Sequence, residues 1–188
     1  IQFTFGPMQN EKDIIQFLRD QAEIYYLLST VSKLEIDDCW IGAGLIRNAI
    51  WDHLHHFPIA PHATSDIDVI YFDPQNCSPQ NEQQIEAQLC KIAPNYPWSV
   101  RNQARMHKVN SDPVYTDISD ALAHWPETAT AIAARLHHNQ IEILCPHGVT
   151  DLLDMKIRPS PAFSHKLPLY EKRLAAKEWH LRWPNVTR

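Results

Sequence analysis

Two aspartates alternate with branched apolar residues in the stretch that runs from Ser65 to Phe72 and reads SDIDVIYF. In an extended chain residues i and i+2 point to the same face, so Asp66 and Asp68 project together while the apolar residues between and after them face the other way. Two adjacent carboxylates repel each other unless a positive group lies between them. A divalent cation is the simplest such group, because hard ions such as Mg2+ prefer oxygen ligands. The stretch therefore predicts a half-buried strand with a metal-binding face.

A glycine turn precedes this strand by about twenty residues. The apolar run Cys39-Trp40-Ile41 meets Gly42 and Gly44, and helical spacing then continues from Leu45 to His56. This order predicts a strand, a tight turn and the start of a helix. The first N–H groups of a helix are unpaired and lie at the positive end of its dipole, so they suit a phosphate. A G-x-G pattern alone is common, and the later Asp-x-Asp strand makes it more specific.

The combination resembles the DNA polymerase β-like nucleotidyltransferase superfamily, and within it a group of small bacterial nucleotidyltransferase family proteins. The likeness extends from about Trp40 to about Pro159 and depends on the following motifs: Trp40-Ile41-Gly42-Ala43-Gly44, Arg47-Asn48, Trp51-Asp52, Ser65 to Val69, Tyr71-Phe72-Asp73, Arg101 to His107, and Trp125-Pro126-Glu127-Thr128. The resemblance implies an α+β chain with the polymerase β-like fold, in which a small mixed sheet is flanked by helices.

The same resemblance implies roles for individual residues. Asp66 and Asp68 are the catalytic metal ligands, holding Mg2+ or Mn2+ that bridges the oxygens of a nucleoside triphosphate. The nucleotide-binding candidates are Gly42, Gly44, Arg47, Asn48 and Ser65. The glycines would let the backbone approach the phosphates, Arg47 would neutralise a phosphate, and Asn48 would hydrogen-bond a phosphate or the ribose. For Arg47, a surface ion pair is nearly as good an interpretation.

A third carboxylate is the missing part of this pattern. Alternation from Trp98 to Met106 predicts a strand of the kind that usually carries it, yet this stretch offers Asn102 or Gln103 and no acid. An amide oxygen can ligate a hard cation weakly, so Asn102 is one candidate for a third ligand. Glu142, flanked by isoleucines, is the other, although an outward-facing strand residue is the simpler interpretation.

The remaining periodicity predicts a mainly helical frame around the sheet. We expect helices from Asn10 to Leu34 and from Asn81 to Ile92, and a hairpin formed by Thr128 to Leu136 with Ile141 to Cys145. Alanine-rich residues leave a helix from Glu127 to His138 as an alternative to the first strand of that hairpin. Residues 1–165 are expected to form the nucleotidyltransferase-like domain, and 166–188 a C-terminal helical extension.

Composition limits the partners and the compartment. A formal net charge of -5 provides no broad basic footprint, which favours a small molecule or a protein over a long nucleic acid as acceptor. No apolar run is long enough for a membrane helix, and no signal peptide is visible. Four widely spaced cysteines without a C-x-x-C pair predict reduced thiols in a cytoplasmic protein. His53 and His56 lack the further ligands that a zinc site needs.

These features lead to three hypotheses. The first is a metal-dependent nucleotidyltransferase that moves a nucleoside monophosphate from a nucleoside triphosphate to an unknown acceptor. The second is a nucleotide-binding or interaction protein that keeps the fold and has lost turnover, because the third acid is missing. The third is an unrelated α+β domain in which Asp66 and Asp68 cap a turn.

Overall fold

The computed structural model describes residues 7–61 and 65–188. Its helices are α1 (Glu11–Asp20), α2 (Ala22–Ser32), α3 (Gly44–Leu54), α4 (Pro79–Ile92), α5 (Gln103–Asn110), α6 (Ile118–Ala123), α7 (Thr150–Leu153), α8 (Leu167–Lys177) and α9 (Trp179–Arg182). Within these two ranges, every helix is too short or too polar to cross a membrane.

Five strands form one mixed sheet. They are β1 (Trp40–Gly42), β2 (Ile67–Tyr71), β3 (Trp98–Asn102), β4 (Ala133–His137) and β5 (Gln140–Leu144), in the spatial order β3-β2-β1-β4-β5. The pair β2 and β3 is parallel, and the other neighbouring pairs are antiparallel. The predicted α+β class, with a small mixed sheet flanked by helices, is confirmed.

The alternation of β2 assigns its side chains to two different layers. Ile67, Val69 and Tyr71 lie in the main hydrophobic core, together with buried residues of α1, α2, α3 and α4. Ile70 faces the other way and belongs to a smaller apolar cluster that includes Trp40 and residues of α6. Asp68 has the same parity as Ile70, so it projects from the sheet face opposite the main core, as the sequence predicts.

The predicted N-terminal helix is two helices rather than one. Asn10 caps α1 and forms a capping box with Asp13, but the chain becomes extended at Gln21 before α2 begins. Apolar residues on both sides of the break, among them Phe17 and Ile24, are buried, so both helices pack against the core. The apolar spacing is the same before and after Gln21, so periodicity gives no signal for the interruption.

The predicted strand from Trp98 to Met106 is wrong in its second half. The strand ends at Asn102, whose side chain accepts a hydrogen bond from the Ala104 N–H and caps α5. The polar and apolar residues happen to keep alternating into the helix, so periodicity alone extended the strand too far. Asparagine is a preferred N-cap residue, and that signal marks the true boundary.

The predicted hairpin is confirmed with shorter strands. Thr128–Thr130 is a 3-10 turn, and β4 and β5 are joined by His138 and Asn139, both with positive φ. A two-residue loop with this backbone matches the twist of the flanking strands. The alternative helix from Glu127 to His138 is therefore wrong.

The C-terminal segment packs into the same core as the sheet. Buried residues of this segment, Tyr170, Leu174, Trp179, Trp183 and Val186, belong to the main hydrophobic cluster. The rings of Trp179 and Trp183 meet Trp51 edge-on, with centroids 5.8 and 5.2 Å away. The segment 166–188 contains two helices, α8 and α9, which are separated at Glu178, a residue with a φ of 45°.

The four cysteines are free, which agrees with the expected reduced thiols. We expect them to react at very different rates with iodoacetamide. Cys39 is buried, and burial raises the pKa of its thiol to about 12, whereas Cys77 and Cys90 are exposed. Because the thiolate is the reactive form, alkylation of Cys39 should be at least about 100-fold slower. Peptide mass spectrometry before and after unfolding in guanidinium would measure this, and fast labelling of Cys39 in the native state would contradict it.

Candidate active site

A cleft of about 260 Å³ opens on the sheet face that carries Asp68. Its floor includes Asp68 and Ile70 of β2 and Arg101 of β3, and Ala43, which precedes α3, lies at its edge. Ile70 and Arg101 are paired across the parallel strands, so they share a face. Trp40 of β1 pairs with Ile70 of β2 in the antiparallel register. This pairing places β1 beside the same floor, and β1 ends at the glycine turn.

The Asp68 carboxylate makes no hydrogen bond or ion pair with any residue in the two described ranges, although it is only partly exposed. Asp66 is exposed and accepts a hydrogen bond of 2.9 Å from the Ser65 hydroxyl. An unpaired carboxylate in a half-buried position is costly unless a ligand compensates it. Asp68 therefore has the character of a ligand group rather than of a structural ion-pair partner.

Burial and the neighbouring charges together set the pKa of the Asp68 carboxyl. Burial, and after it the negative charge of Asp66, raise the pKa of the Asp68 carboxyl above its usual value. The positive charges of Arg101, Lys177 and Arg47 act in the opposite direction and do not cancel the rise. The two acids are thus close enough to influence each other, and a bound cation would relieve their repulsion.

The two glycines of the turn have different surroundings. A Cβ built on Gly42 would lie 2.7 Å from the ring of Trp125, so the lack of a side chain at Gly42 lets this ring pack against β1. A Cβ on Gly44 would meet no atom of the described residues within 4 Å. Gly44 is the first residue of α3, and no side chain caps that helix. The open space therefore lies beside uncapped N–H groups that can accept an anion.

Replacing Gly42 with alanine should disturb the cleft through Trp125. The added methyl group must push the ring away, and overpacking of this kind costs about 1–3 kcal/mol of unfolding free energy. Urea denaturation of Gly42→Ala and of Gly44→Ala would test the difference, because the second methyl group enters open space. Equal destabilisation by the two substitutions would contradict the structure.

Arg47 and Asn48 of α3 do not line the cleft. Arg47 is buried, its guanidinium stacks 4.5 Å from the ring centre of Trp179, and it donates to the Asn48 side chain at 2.8 and 3.2 Å. Asn48 lines a small crevice with Asp52 and Arg182. The expected surface ion pair of Arg47 is not what the structure has, and both side chains are engaged in packing against the C-terminal segment.

Neither candidate third ligand has a free oxygen beside Asp68. The Asn102 Oδ1 accepts from the backbone N–H groups of Asp73 and Ala104, so both of its lone pairs are used. Glu142 lies on β5, three strands away from β2, and pairs with Arg135 at 2.7 Å. No group of three or more His, Cys, Asp or Glu suited to a metal occurs in 7–61 and 65–188.

Three lining residues carry chemistry that sequence patterns did not assign. Gln103 of α5 is buried at the cleft wall, Trp125 follows α6, and Arg173 arrives from α8. Arg173 also donates to the fully buried Glu127 at 2.6 Å. Its place in the cleft has no local signal in the sequence, because only the packing of α8 brings it there. Arg101 of β3 also lines the cleft, whereas Arg105 of α5 is bound to Glu82.

A family model described as nucleotidyltransferase matches residues 29–187. Among curated proteins, none matches this chain at a significant level. A solved NMR structure described as a CCA-adding enzyme head domain is 32% identical, covers 97% of this chain and 99% of its own, and superposes with a TM-score of 0.85.

More distant structures share the fold. The Thermotoga maritima CCA-adding enzyme complexed with tRNA is 13% identical, with a TM-score of 0.58 over 96% of this chain and 42% of that one. A CCA-adding enzyme complexed with CTP is also 13% identical, with a TM-score of 0.58 over 97% and 44%. The chain therefore spans about two fifths of the length of these enzymes.

Proposed function

This chain belongs to the nucleotidyltransferase family, and on that premise we propose that it transfers a nucleoside monophosphate from a nucleoside triphosphate to an acceptor, with the help of Mg2+ or Mn2+. The observation that carries the proposal is the Asp68 carboxylate, which is half buried, faces the cleft and has no partner in the described part of the chain. A carboxylate in such a position is suited to binding a cation, and it contributes no ion pair with the described residues to the stability of the fold.

The donor groups fit a hard divalent cation. Asp68 of β2 and Asp66, which immediately precedes that strand, supply carboxylate oxygens two positions apart, and their mutual repulsion is lowest with a cation between them. When bound, the metal would neutralise phosphate charge and favour in-line attack on the α-phosphorus. The chain itself would orient both reactants through the rigid sheet that carries Asp68.

The chain's own cations and helix ends can hold the triphosphate. Arg101 and Arg173 reach the cleft from β3 and α8, and fork-shaped guanidinium groups suit phosphate oxygens. The uncapped start of α3 at Gly44 provides backbone N–H donors at the positive end of the helix dipole. Together they would compensate the charge that develops on the departing pyrophosphate.

For the acceptor, we propose a small molecule or a protein rather than a long nucleic acid. The net charge of -5 does not favour a long polyanion, and the cleft adds only local positive charge. The tRNA-bound relative is more than twice as long as this chain, so its own acceptor does not transfer to this shorter chain by fold alone.

A nucleotide-binding protein without turnover is the second candidate. It is favoured by the lack of a third acid beside Asp66 and Asp68 within 7–61 and 65–188. Such a protein would bind the triphosphate with Mg2+ and would release no pyrophosphate.

Pyrophosphate release separates the two candidates. The purified chain should be incubated with each nucleoside triphosphate, Mg2+ or Mn2+, and separate pools of small molecules, proteins and RNA. Release that depends on both metal and acceptor supports transfer. A melting temperature that rises with triphosphate and metal, without release in any pool, supports the inactive binder, because a bound ligand stabilises the folded state by mass action. The absence of both effects would contradict both candidates.

A further inference from the structure

Gln103 places a buried amide in the wall of the cleft. Its side chain is only 5% exposed, yet it lines the cleft, and the indole Nε1 of Trp125 donates to its Oε1 at 3.4 Å. An indole N–H can only donate, so the carbonyl end of the amide must face Trp125. The NH2 end is left for the cleft, and it has no hydrogen-bond partner among residues 7–61 and 65–188.

Trp125 provides a flat apolar surface beside this amide. The ring packs on β1 at Gly42, where only a glycine leaves room for it. It also packs against the apolar cluster that includes Ile70. Met106 and Pro126 extend the apolar part of the lining. Every type of nucleobase can stack on an aromatic side chain, so this wall suits the face of a base.

The cleft is lined by both charged and apolar side chains. Asp68, Arg101 and Arg173 suit the metal and phosphates, whereas Gln103 and Trp125 offer a donor and a stacking surface. A nucleoside triphosphate has the same two parts, a charged tail and a flat base with hydrogen-bonding edges. Both parts of one ligand can therefore be recognised in one cleft.

Resting on the proposed function, we propose that Trp125 and Gln103 form the base-binding subsite for the donor triphosphate, and that Gln103 selects guanine or uracil over adenine or cytosine. The fixed NH2 group can donate to the carbonyl oxygen that guanine carries at C6 and uracil at C4. Adenine and cytosine carry an amino group at those positions, which would leave two donors facing each other. A site that holds a buried donor discriminates strongly, because the wrong ligand leaves that donor unpaired.

Gln103→Glu should invert this preference. A carboxylate accepts the Trp125 N–H with one oxygen and presents the other to the base as an acceptor, which suits the amino group of adenine or cytosine. The added negative charge will weaken all triphosphates, so the readout is the ratio between bases. Gln84→Glu introduces the same charge on the exposed side of α4 and is the matched control.

Trp125→Phe separates stacking from orientation. Phenylalanine keeps a ring but cannot donate to Gln103, so the amide can turn over. Affinity should stay within about 3-fold because the base can still stack, while discrimination between bases should fall towards one. This variant tests the inference even if the glutamate variant does not fold.

Calorimetric titration of the full chain with Mg2+ and the non-hydrolysable α,β-methylene analogues of all four triphosphates would decide the matter. We expect the guanine or uracil analogue to bind at least about 10-fold more tightly than its amino counterpart, and the ratio to invert in Gln103→Glu only. Equal affinities in the wild-type chain, or an unchanged ranking in a folded Gln103→Glu, would overturn the base assignment and leave nucleotide transfer standing. Lack of binding by all four analogues would overturn both.

Discussion

Asp68→Asn should abolish metal-dependent binding of nucleoside triphosphates. The amide keeps the size of the side chain but removes the negative charge that a divalent cation requires, at the more buried of the two acids. We expect at least about a 100-fold loss of triphosphate affinity in Mg2+ and a comparable or larger loss of pyrophosphate release. Calorimetric titration with and without EDTA would measure the first, and a coupled pyrophosphate assay the second.

The same substitution should have the opposite effect on the metal-free fold. Burial and the charge of Asp66 disfavour the ionised form of Asp68, as its raised pKa indicates, so a neutral side chain removes a cost in the folded state. In EDTA, the melting temperature of Asp68→Asn should therefore equal or exceed that of the wild-type chain. Stability gained with binding lost is the expected signature of a ligand group.

Asp154→Asn is the matched control for this experiment. Asp154 is exposed and, within 7–61 and 65–188, pairs with the partly exposed Lys156 alone, so removing its charge should change neither affinity nor melting temperature measurably. Triphosphate binding that persists in Asp68→Asn, or that falls equally in Asp154→Asn, would show that the metal site is assigned to the wrong residues.

Local patterns were sufficient for the elements that each contain their own signal. The turn at Gly42 and Gly44, the capping box at Asn10 and the alternation of β2 are all set by neighbours in sequence, and the structure contains each of them. The errors occur where two local signals compete. Alternation continued past Asn102 although that residue caps a helix, and the predicted N-terminal helix is interrupted at Gln21 although its apolar spacing continues.

The cleft shows the limit of such patterns more clearly. Asp68 could be predicted because the alternation of β2 places it on the face opposite the core, but Arg173 enters from α8, more than a hundred residues later. Gly42 was predicted from its place in the turn, but the packing of Trp125 against it could not be. Arg47 was expected to face a ligand or solvent, and it is instead buried against Trp179. These outcomes depend on long-range packing, which no window of sequence contains.

Asp52→Ala should destabilise the fold more than either Gly42→Ala or Asp68→Asn. Asp52 is 2% exposed and joins α3 to the C-terminal segment, because it accepts from Arg182 at 2.8 and 3.1 Å and from the Trp183 indole at 2.8 Å. Alanine removes the ion pair and leaves the buried Trp183 N–H unsatisfied. We expect a loss of about 3 kcal/mol in unfolding free energy, and hence a melting temperature lower by roughly 6–12 °C.

The control lies in the same segment. Glu171 pairs with Arg188 at 3.6 Å, and both side chains are more than 60% exposed, so Glu171→Ala should cost less than about 1 kcal/mol. Urea denaturation followed by tryptophan fluorescence suits both variants, since Trp51, Trp179 and Trp183 form one cluster. Asp52→Asn should fall between them, because its amide oxygen can still accept from Trp183. Equal midpoints for Asp52→Ala and Glu171→Ala would mean that the C-terminal segment is held by its apolar residues alone.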